Sequence, residues 1–329
     1  PYAQWVAEIM LQQTRVETVL GYYEPLLTRF PTFEELAKAN PQDVLKMLEC
    51  LGYYRRILHL HRAVRGLYEA GATIPDSAEG LRALSGVGGY TAAAIASIAY
   101  GEPIAAVDAN VARVVGRLMG VQETSSAAAR NRIQSEADKL LCKKRPGDFN
   151  QAWMDFGSRV CLPREPKCAM CPLRPFCAVG GMAGQKLPAA KPRAVSATCS
   201  IAVGLLVHKD RMLVRRRPEG GLWSGLWEFP SLDFNANGAA RSLEQIAVTH
   251  SLIVPRKPLK IGVVRHQLTH RNISFHVFEA EMEQAGPRAG KSVRWVTQDA
   301  FERLPVSTAH RRIHRLWMDV RARRLANRP

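Results

Sequence analysis

Four cysteines, Cys161, Cys168, Cys171 and Cys177, follow one another in the spacing C-x6-C-x2-C-x5-C. Thiols this close in sequence do not pair sensibly as disulfides, but all four can converge on one metal centre. All-sulfur ligation suits a structural zinc or an iron–sulfur cluster, because both favour soft donors. The chain must therefore fold so that this loop closes on itself. The surrounding segment, VCLPREPKCAMCPLRPFCAV, is rich in Arg, Lys and Pro, so the metal loop is also basic. A basic loop stapled by metal points to nucleic acid. The other cysteines, Cys50, Cys142 and Cys199, are scattered without pairing logic and read as reduced thiols.

The whole chain carries the same electrostatic bias. Its 329 residues hold 46 Lys and Arg against 29 Asp and Glu, a formal charge of +17. Such an excess favours a polyanionic partner over mere solubility. The length suggests two domains, with a third possible. No apolar run approaches the roughly 18 residues of a membrane span. The opening PYAQWVAEIM lacks a signal peptide's basic start and small-residue cleavage site, and reads as a chain whose true start lies upstream. The expectation is a monomeric cytoplasmic protein with no membrane contact, working at the nucleoid in a bacterial cytosol.

Patterning divides the chain in two. Residues 1–181 read as helical, with apolar residues at three- and four-residue spacings in WVAEIML, LHLHRAVRGLYEAG and TAAAIASIAY. Residues 182–198 have few large apolar side chains and read as a linker. Residues 199–329 read as an α+β domain. CSIAVGLLVHKDRMLVRRRP looks like two strands joined at Lys209-Asp210, and RNISFHVFEAEM and SVRWVT alternate like further strands. The tail holds Arg311, Arg312, Arg315, Arg321, Arg323, Arg324 and Arg328 against Asp319 alone. It is either a solvated helix face or a phosphate contact.

Between two helical segments lies Leu84-Ser85-Gly86-Val87-Gly88-Gly89-Tyr90-Thr91. Its glycines permit a tight turn and close approach of backbone N–H groups to a phosphate. With VDANVARV and the cysteine loop, this segment resembles the helix-hairpin-helix DNA glycosylases of the endonuclease III superfamily, over residues 1–181. Glu8-Ile9-Met10-Leu11-Gln12-Gln13-Thr14 is similar to the branch that excises adenine mispaired with 8-oxoguanine. The superfamily's lyase members carry a nucleophilic lysine where this chain has Tyr90, and tyrosine cannot form that imine. The resemblance thus implies a monofunctional glycosylase acting on double-stranded DNA with A:8-oxoguanine or A:G mispairs.

It also implies roles. Cys161, Cys168, Cys171 and Cys177 would hold a [4Fe–4S] cluster, serving structure and DNA docking rather than base excision. Glu8 would protonate the adenine and later assist water; its apolar neighbours would raise its pKa. The plain alternative is an exposed glutamate on an amphipathic helix. Asp108 would stabilise an oxocarbenium-like sugar, a role compatible with its plain reading as a helix N-cap. Alanine at position 109 replaces the family's usual glycine. Tyr90 and Asn110 would orient these groups and water, although Tyr90 also suits packing in the hairpin. Gln12, Gln13 and Thr14 would fill the space of an extruded base, and Gly86, Gly88 and Gly89 would meet the backbone. Tyr53 would wedge into the stack beside 8-oxoguanine, with core packing as its alternative.

Residues 199 to about 320 resemble the Nudix-related second domain of that branch, most clearly in Trp223-Ser224-Gly225-Leu226-Trp227-Glu228-Phe229-Pro230. The following stretch, SLDFNANGAARSLEQIAVTH, lacks the R-E-x-x-E-E array of a working Nudix hydrolase, so pyrophosphohydrolase activity is not expected. Lesion recognition would fall to Leu268, Thr269 and His270, where the family has Phe-Ser-His. The hydroxyl and imidazole are kept and the stacking ring is lost. Two other functions stay open at this level: a thymine mismatch glycosylase, argued against by the second domain, and an inactive DNA-binding module, argued against by Glu8 and Asp108 together.

Overall fold

The computed structural model describes residues 1–49, 51–52, 54–121, 123–124, 126–180, 197–234, 258–268, 271–283 and 292–326. Contacts divide the chain into two compact units: residues 1–38 with 56–192, and residues 39–55 with 193–329.

The first unit is helical among its described residues: α1 (Tyr2–Leu11), α2 (Val16–Arg29), α3 (Phe33–Lys38), most of α5 (Tyr54–Glu69), α6 (Ala78–Arg82), α7 (Gly89–Ala99), α8 (Ala109–Leu118), α9 (Ala127–Leu140) and α10 (Pro146–Arg159). Its centre is α7, buried without a break from Thr91 to Ser97. A helix with no polar face belongs inside a protein, and the alanines of GYTAAAIASIA let α1, α6 and α10 pack closely around it. Gly147 shows how close. A Cβ there would lie 2.8 Å from both the Ile98 Cα and the Ser97 carbonyl oxygen, so only glycine lets α10 start against the end of α7.

Residues 104–107 lie between α7 and α8 without a strand partner among the described residues, and Ala105 and Ala106 are buried. Buried backbone groups must still be hydrogen-bonded, and side chains do this. Asn150 on α10 accepts from the Ala106 N–H (3.0 Å) and donates to the Ile104 carbonyl (3.0 Å) and the Ser97 hydroxyl (2.8 Å). From α9, Asp138 accepts from the Ala105 N–H (2.9 Å) and Gln134 donates to the Ala105 carbonyl (2.9 Å). This lacing delivers Asp108 to the start of α8.

Among its described residues the second unit has a mixed sheet of seven strands: β1 (Ala197–His208), β2 (Arg211–Arg216), β3 (Trp227–Glu228), β4 (Ser231–Asp233), β5 (Leu259–Gln267), β6 (Arg271–Glu281) and β7 (Val293–Val296). The order is β3-β2-β1-β6-β5, with β4 on β1 and β7 on β2. The long β1 and β6 pair in parallel along their whole length; the other pairs are antiparallel. The turn at Lys209-Asp210 lies where the sequence predicts it, with Lys209 at φ 56°. Strand β1 begins at Ala197, inside the expected linker, whose residues 182–196 lie outside the described residues. Two helices follow the sheet, α11 (Gln298–Arg303) and α12 (Thr308–Ala326). Glu228 is buried, and receives Arg215 (2.9 Å) and Arg217 (2.7 Å), the compensation that a buried carboxylate needs.

Residues 39–55 belong to this unit despite their place among the helical segments. Helix α4 (Pro41–Met47) brings Gln42 to Trp227, whose indole N–H donates to it (2.8 Å), while Gln42 donates to the Gly225 carbonyl (3.1 Å). Glu49 accepts from Arg311 at 2.5 Å. Nothing in the local sequence predicts this assignment.

The packing sets an expectation. Gly147→Ala should destabilise the protein by about 1–3 kcal/mol, because the clash is with backbone that cannot rotate away. At Gly88 the φ is −87° and an added Cβ would meet no atom within 4 Å, so Gly88→Ala should leave thermal stability almost unchanged. Equal melting temperatures for the two variants would refute the close packing of α10 on α7.

Candidate active site

Helix α1 buries Trp5, Val6, Ile9 and Met10, and carries Glu8 into the same interior at 5% exposure. Glu8 is therefore not a surface glutamate. Its carboxylate accepts from the Tyr90 hydroxyl (3.0 Å) and from the Gln4 amide (2.8 Å), one helical turn back. Burial pushes the Glu8 carboxyl above the usual carboxylate range. The two hydrogen bonds pull it partly back, and the nearby Asp108 charge pushes it up again. Tyr90 also lies 3.5 Å from the Met154 sulfur. Burial, then the Glu8 charge, hold the phenol protonated far beyond its ordinary pKa. Tyr90 is thus a hydrogen-bond donor to Glu8 at all working pH values.

Asp108 caps α8. One oxygen accepts from the Val111 N–H (2.7 Å) and the other from the Asn110 amide (2.9 Å). Asn110 is held in turn by Arg113, which donates to its oxygen (3.0 Å), to the Gly157 carbonyl (2.7 Å) and to the Cys161 carbonyl (2.9 Å). A Cβ at Gly157 would stand 2.7 Å from the Asn110 Cβ, so this glycine lets α10 close on the start of α8. The structure thus brings Glu8, Tyr90, Asp108 and Asn110 together, from three separate stretches of the chain. Arg113, Asn150, Gln4 and Met154 escape a reading of the sequence. The one signal available was the polar Asn150 in FNQAWM, inside an otherwise amphipathic helix.

The turn after α1 is pinned as well. Arg56 donates to the Gln12 carbonyl and to the Thr14 hydroxyl (2.7 Å), and the Gln12 amide donates to Thr91 (3.2 Å). Gln13 is exposed at φ 57°, an unusual conformation for a non-glycine residue. In the hairpin Gly86 has φ 80°, and a Cβ would strike His59 at 2.5 Å. Gly88 and Gly89 are exposed with open space around them, and no side chain caps the first turn of α7. Tyr53, Thr269 and His270 lie outside the described residues, as do Cys50 and the stretch from residue 235 to 257. Leu268 closes the β5–β6 connection, its N–H donating to the Arg271 carbonyl (2.8 Å).

The cysteine loop is two 3-10 turns, Cys168–Met170 and Arg174–Phe176. All four thiols are half-buried and none is in a disulfide. The buried Arg117 ties the loop ends. It donates to the Cys161 sulfur (3.3 Å) and to the Leu162 (2.7 Å) and Pro163 (3.1 Å) carbonyls, while its own carbonyl accepts from the Cys177 thiol (3.4 Å). Among the described residues no group of three or more His, Cys, Asp or Glu side chains is placed so that it could hold a metal ion. Four soft donors on one cation-flanked loop fit an anionic all-thiolate cluster. No described helix is long and apolar enough to cross a membrane.

Comparison with known proteins agrees with this architecture. Residues 6–139 match the model of the HhH-GPD superfamily of base excision DNA repair proteins, and residues 202–316 match a NUDIX domain. A thermostable thymine-DNA glycosylase of known structure superposes with a TM-score of 0.51 at 29% identity, over 55% of this chain and 84% of its own. The first unit is accordingly a helix-hairpin-helix base-excision scaffold. Adenine DNA glycosylase of Rattus norvegicus is 33% identical over 97% of this chain and 72% of its own length. That of Schizosaccharomyces pombe is 28% identical over 99% and 82%. The chain belongs to the adenine DNA glycosylase family.

The buried carboxyl has a measurable consequence. Because the folded-state pKa of Glu8 is raised, its ionisation opposes folding above that pKa, and the penalty vanishes below the unfolded value. Glu8→Gln should therefore raise the melting temperature at neutral pH. The gain should shrink as pH falls from the raised Glu8 pKa to the ordinary carboxylate value, and a gain that does not vary with pH would show that burial does not oppose the Glu8 charge.

Proposed function

We propose that the chain excises adenine from duplex DNA where it is mispaired with 8-oxoguanine or guanine, by hydrolysis of the N-glycosidic bond. The observation that carries this reading is the buried Glu8, hydrogen-bonded by Tyr90 and close enough to Asp108 to feel its charge. A base must leave the stack to reach such a pocket. Protonated Glu8 gives its proton to N7 of adenine. The bond between the sugar C1′ and N9 then breaks, and its electron pair leaves with the purine. The Asp108 carboxylate, held rigid by Val111 and Asn110, faces the positive charge that develops on the sugar. Water adds to C1′ and returns a proton to Glu8, leaving free adenine and an abasic site. Tyr90 keeps Glu8 aimed and, having no amine, forms no imine with the sugar.

The hairpin supports DNA binding through Gly86, Gly88 and Gly89, whose backbone and the uncapped start of α7 suit a phosphate. Gln12, Gln13 and Thr14 take up the space of the extruded base, and Tyr53 wedges beside the lesion. Leu268, Thr269 and His270 in the second unit read 8-oxoguanine. Cys161, Cys168, Cys171 and Cys177 would hold a [4Fe–4S] cluster that stiffens the basic loop for docking. The thymine-excising alternative is disfavoured because the thymine-DNA glycosylase matches 55% of the chain, whereas the adenine enzyme of the rat matches 97%.

Duplexes carrying A opposite 8-oxoguanine, A opposite G and T opposite G, each followed by alkali, test the reaction. Strand cleavage is expected in the first two, and cleavage only at T opposite G would overturn the reading. Glu8→Gln should lower the single-turnover rate at least about 100-fold. The wild-type rate should fall as pH rises through the elevated Glu8 pKa, since the acid form acts. Separately, purified protein should contain about four irons per chain, and Cys168→Ser should lose them. Zinc in their place would refute the cluster.

A further inference from the structure

In the proposed reaction Glu8 changes protonation twice in each turnover, and burial works against one of those changes. It favours the neutral acid, and the Asp108 charge favours that form further. A carboxyl held protonated too firmly is slow to give its proton up, because an effective acid–base group balances both forms near the working pH. Donors to the ionised form restore the balance. Glu8 has two among the described residues: Tyr90 reaches Oε2 from α7, and Gln4 reaches Oε1 at 2.8 Å from its own helix. Gln4 is half-buried and one turn before Glu8, so the geometry of α1 itself sets this second bond.

A polar pair four residues apart can serve merely to support a helix. Such pairs lie in water, whereas Glu8 is 5% exposed and has little water to replace a lost donor. The other groups around it do not take over the task. Helix α7 carries Tyr90 as its one titratable side chain, and Asp108 at the start of α8 repels the charge. From α2, which also packs on α1, Tyr23 donates to the Ala3 carbonyl (3.1 Å), while Glu17, Glu24 and Arg29 are exposed. None of the groups acting on Glu8 is a cation, so hydrogen bonds support its charged form. We propose that Gln4 is a positioning residue of the excision reaction, whose amide N–H holds Oε1 of Glu8 and sustains the carboxylate between its two proton transfers. The proposal rests on the reading of Glu8 as the acid. As the C1′–N9 bond breaks, the Glu8 proton passes to N7 and Gln4 supports the carboxylate left behind. When water adds to C1′, that carboxylate recovers a proton.

Gln4→Met keeps the length of the side chain and removes the donor. Gln4→Lys sets an ammonium towards the same oxygen. Two readouts test them: single-turnover excision of A opposite 8-oxoguanine across pH, and the titration of Glu8 in protein carrying 13C-carboxyl glutamate. The Glu8 resonance is the one missing from Glu8→Gln. With Met, both the fall in rate and the Glu8 midpoint should move to higher pH. On the alkaline limb this variant should be about two- to tenfold faster than wild type, the effect of one lost hydrogen bond on the ionised form. With Lys, both should move to lower pH, and this opposite shift carries the test by itself if the Met variant fails to fold. Midpoints that stay in place in the folded variants, even with slower rates at every pH, reduce Gln4 to a helix support and overturn the proposal. Midpoints that move as expected in a protein that excises no adenine would uphold the hold of Gln4 on Glu8 and sink the proposed function instead.

Discussion

The backbone that joins α7 to α8 buries Ala105 and Ala106 without a strand partner among the described residues, and the placement of Asp108 depends on how it is satisfied. No described helix or strand pairs the peptide groups of these two residues. Asn150, Asp138 and Gln134 supply the missing partners from α10 and α9. Leaving any one such group unpaired would cost on the order of 1–3 kcal/mol. With these partners in place the stretch has one position, and Asp108 emerges from it at the first turn of α8. In the proposed reaction, a carboxylate that faces a short-lived cation gains from being placed beforehand, because nothing then has to reorganise.

Glu8 is placed by the opposite means. The aspartate sits at a helix end among hydrogen-bond donors, whereas the glutamate is driven inside by the apolar residues on either side of it. Burial opposes the charge of Glu8, and the hydrogen bonds from Tyr90 and Gln4 only partly restore it. Two carboxyl groups in one site thus have contrasting surroundings, and contrast of that kind lets one act as acid while the other faces a cation. Arg113 links this site to the cysteine loop through Asn110 on one side and the Cys161 carbonyl on the other. The loop and the site accordingly share a support.

Much of this was legible beforehand because it is local. Helical periodicity, the strand pair around Lys209-Asp210 and the capping role of Asp108 all follow from short stretches of sequence. The central place of α7 was less plain, since an alanine-rich helix looks the same whether buried or exposed; only its neighbours decide. Gln42 and Glu49 show the limit most clearly. They lie among helical segments in sequence, yet their partners are Trp227, Gly225 and Arg311, more than 180 residues away.

By itself the sequence determined the chemical inventory: four thiols close together in one loop, a tyrosine where an amine would change the reaction, and two carboxyls in motifs that resemble those of a known family. Short-range patterns carry such information because a motif works through neighbours in the chain. Tertiary structure alone decided which glutamates are buried, which arginines are consumed by ion pairs and which stay exposed, and which side chains hold the backbone before Asp108. Those outcomes depend on burial and on partners distant in sequence, and both exist only once the chain has closed on itself.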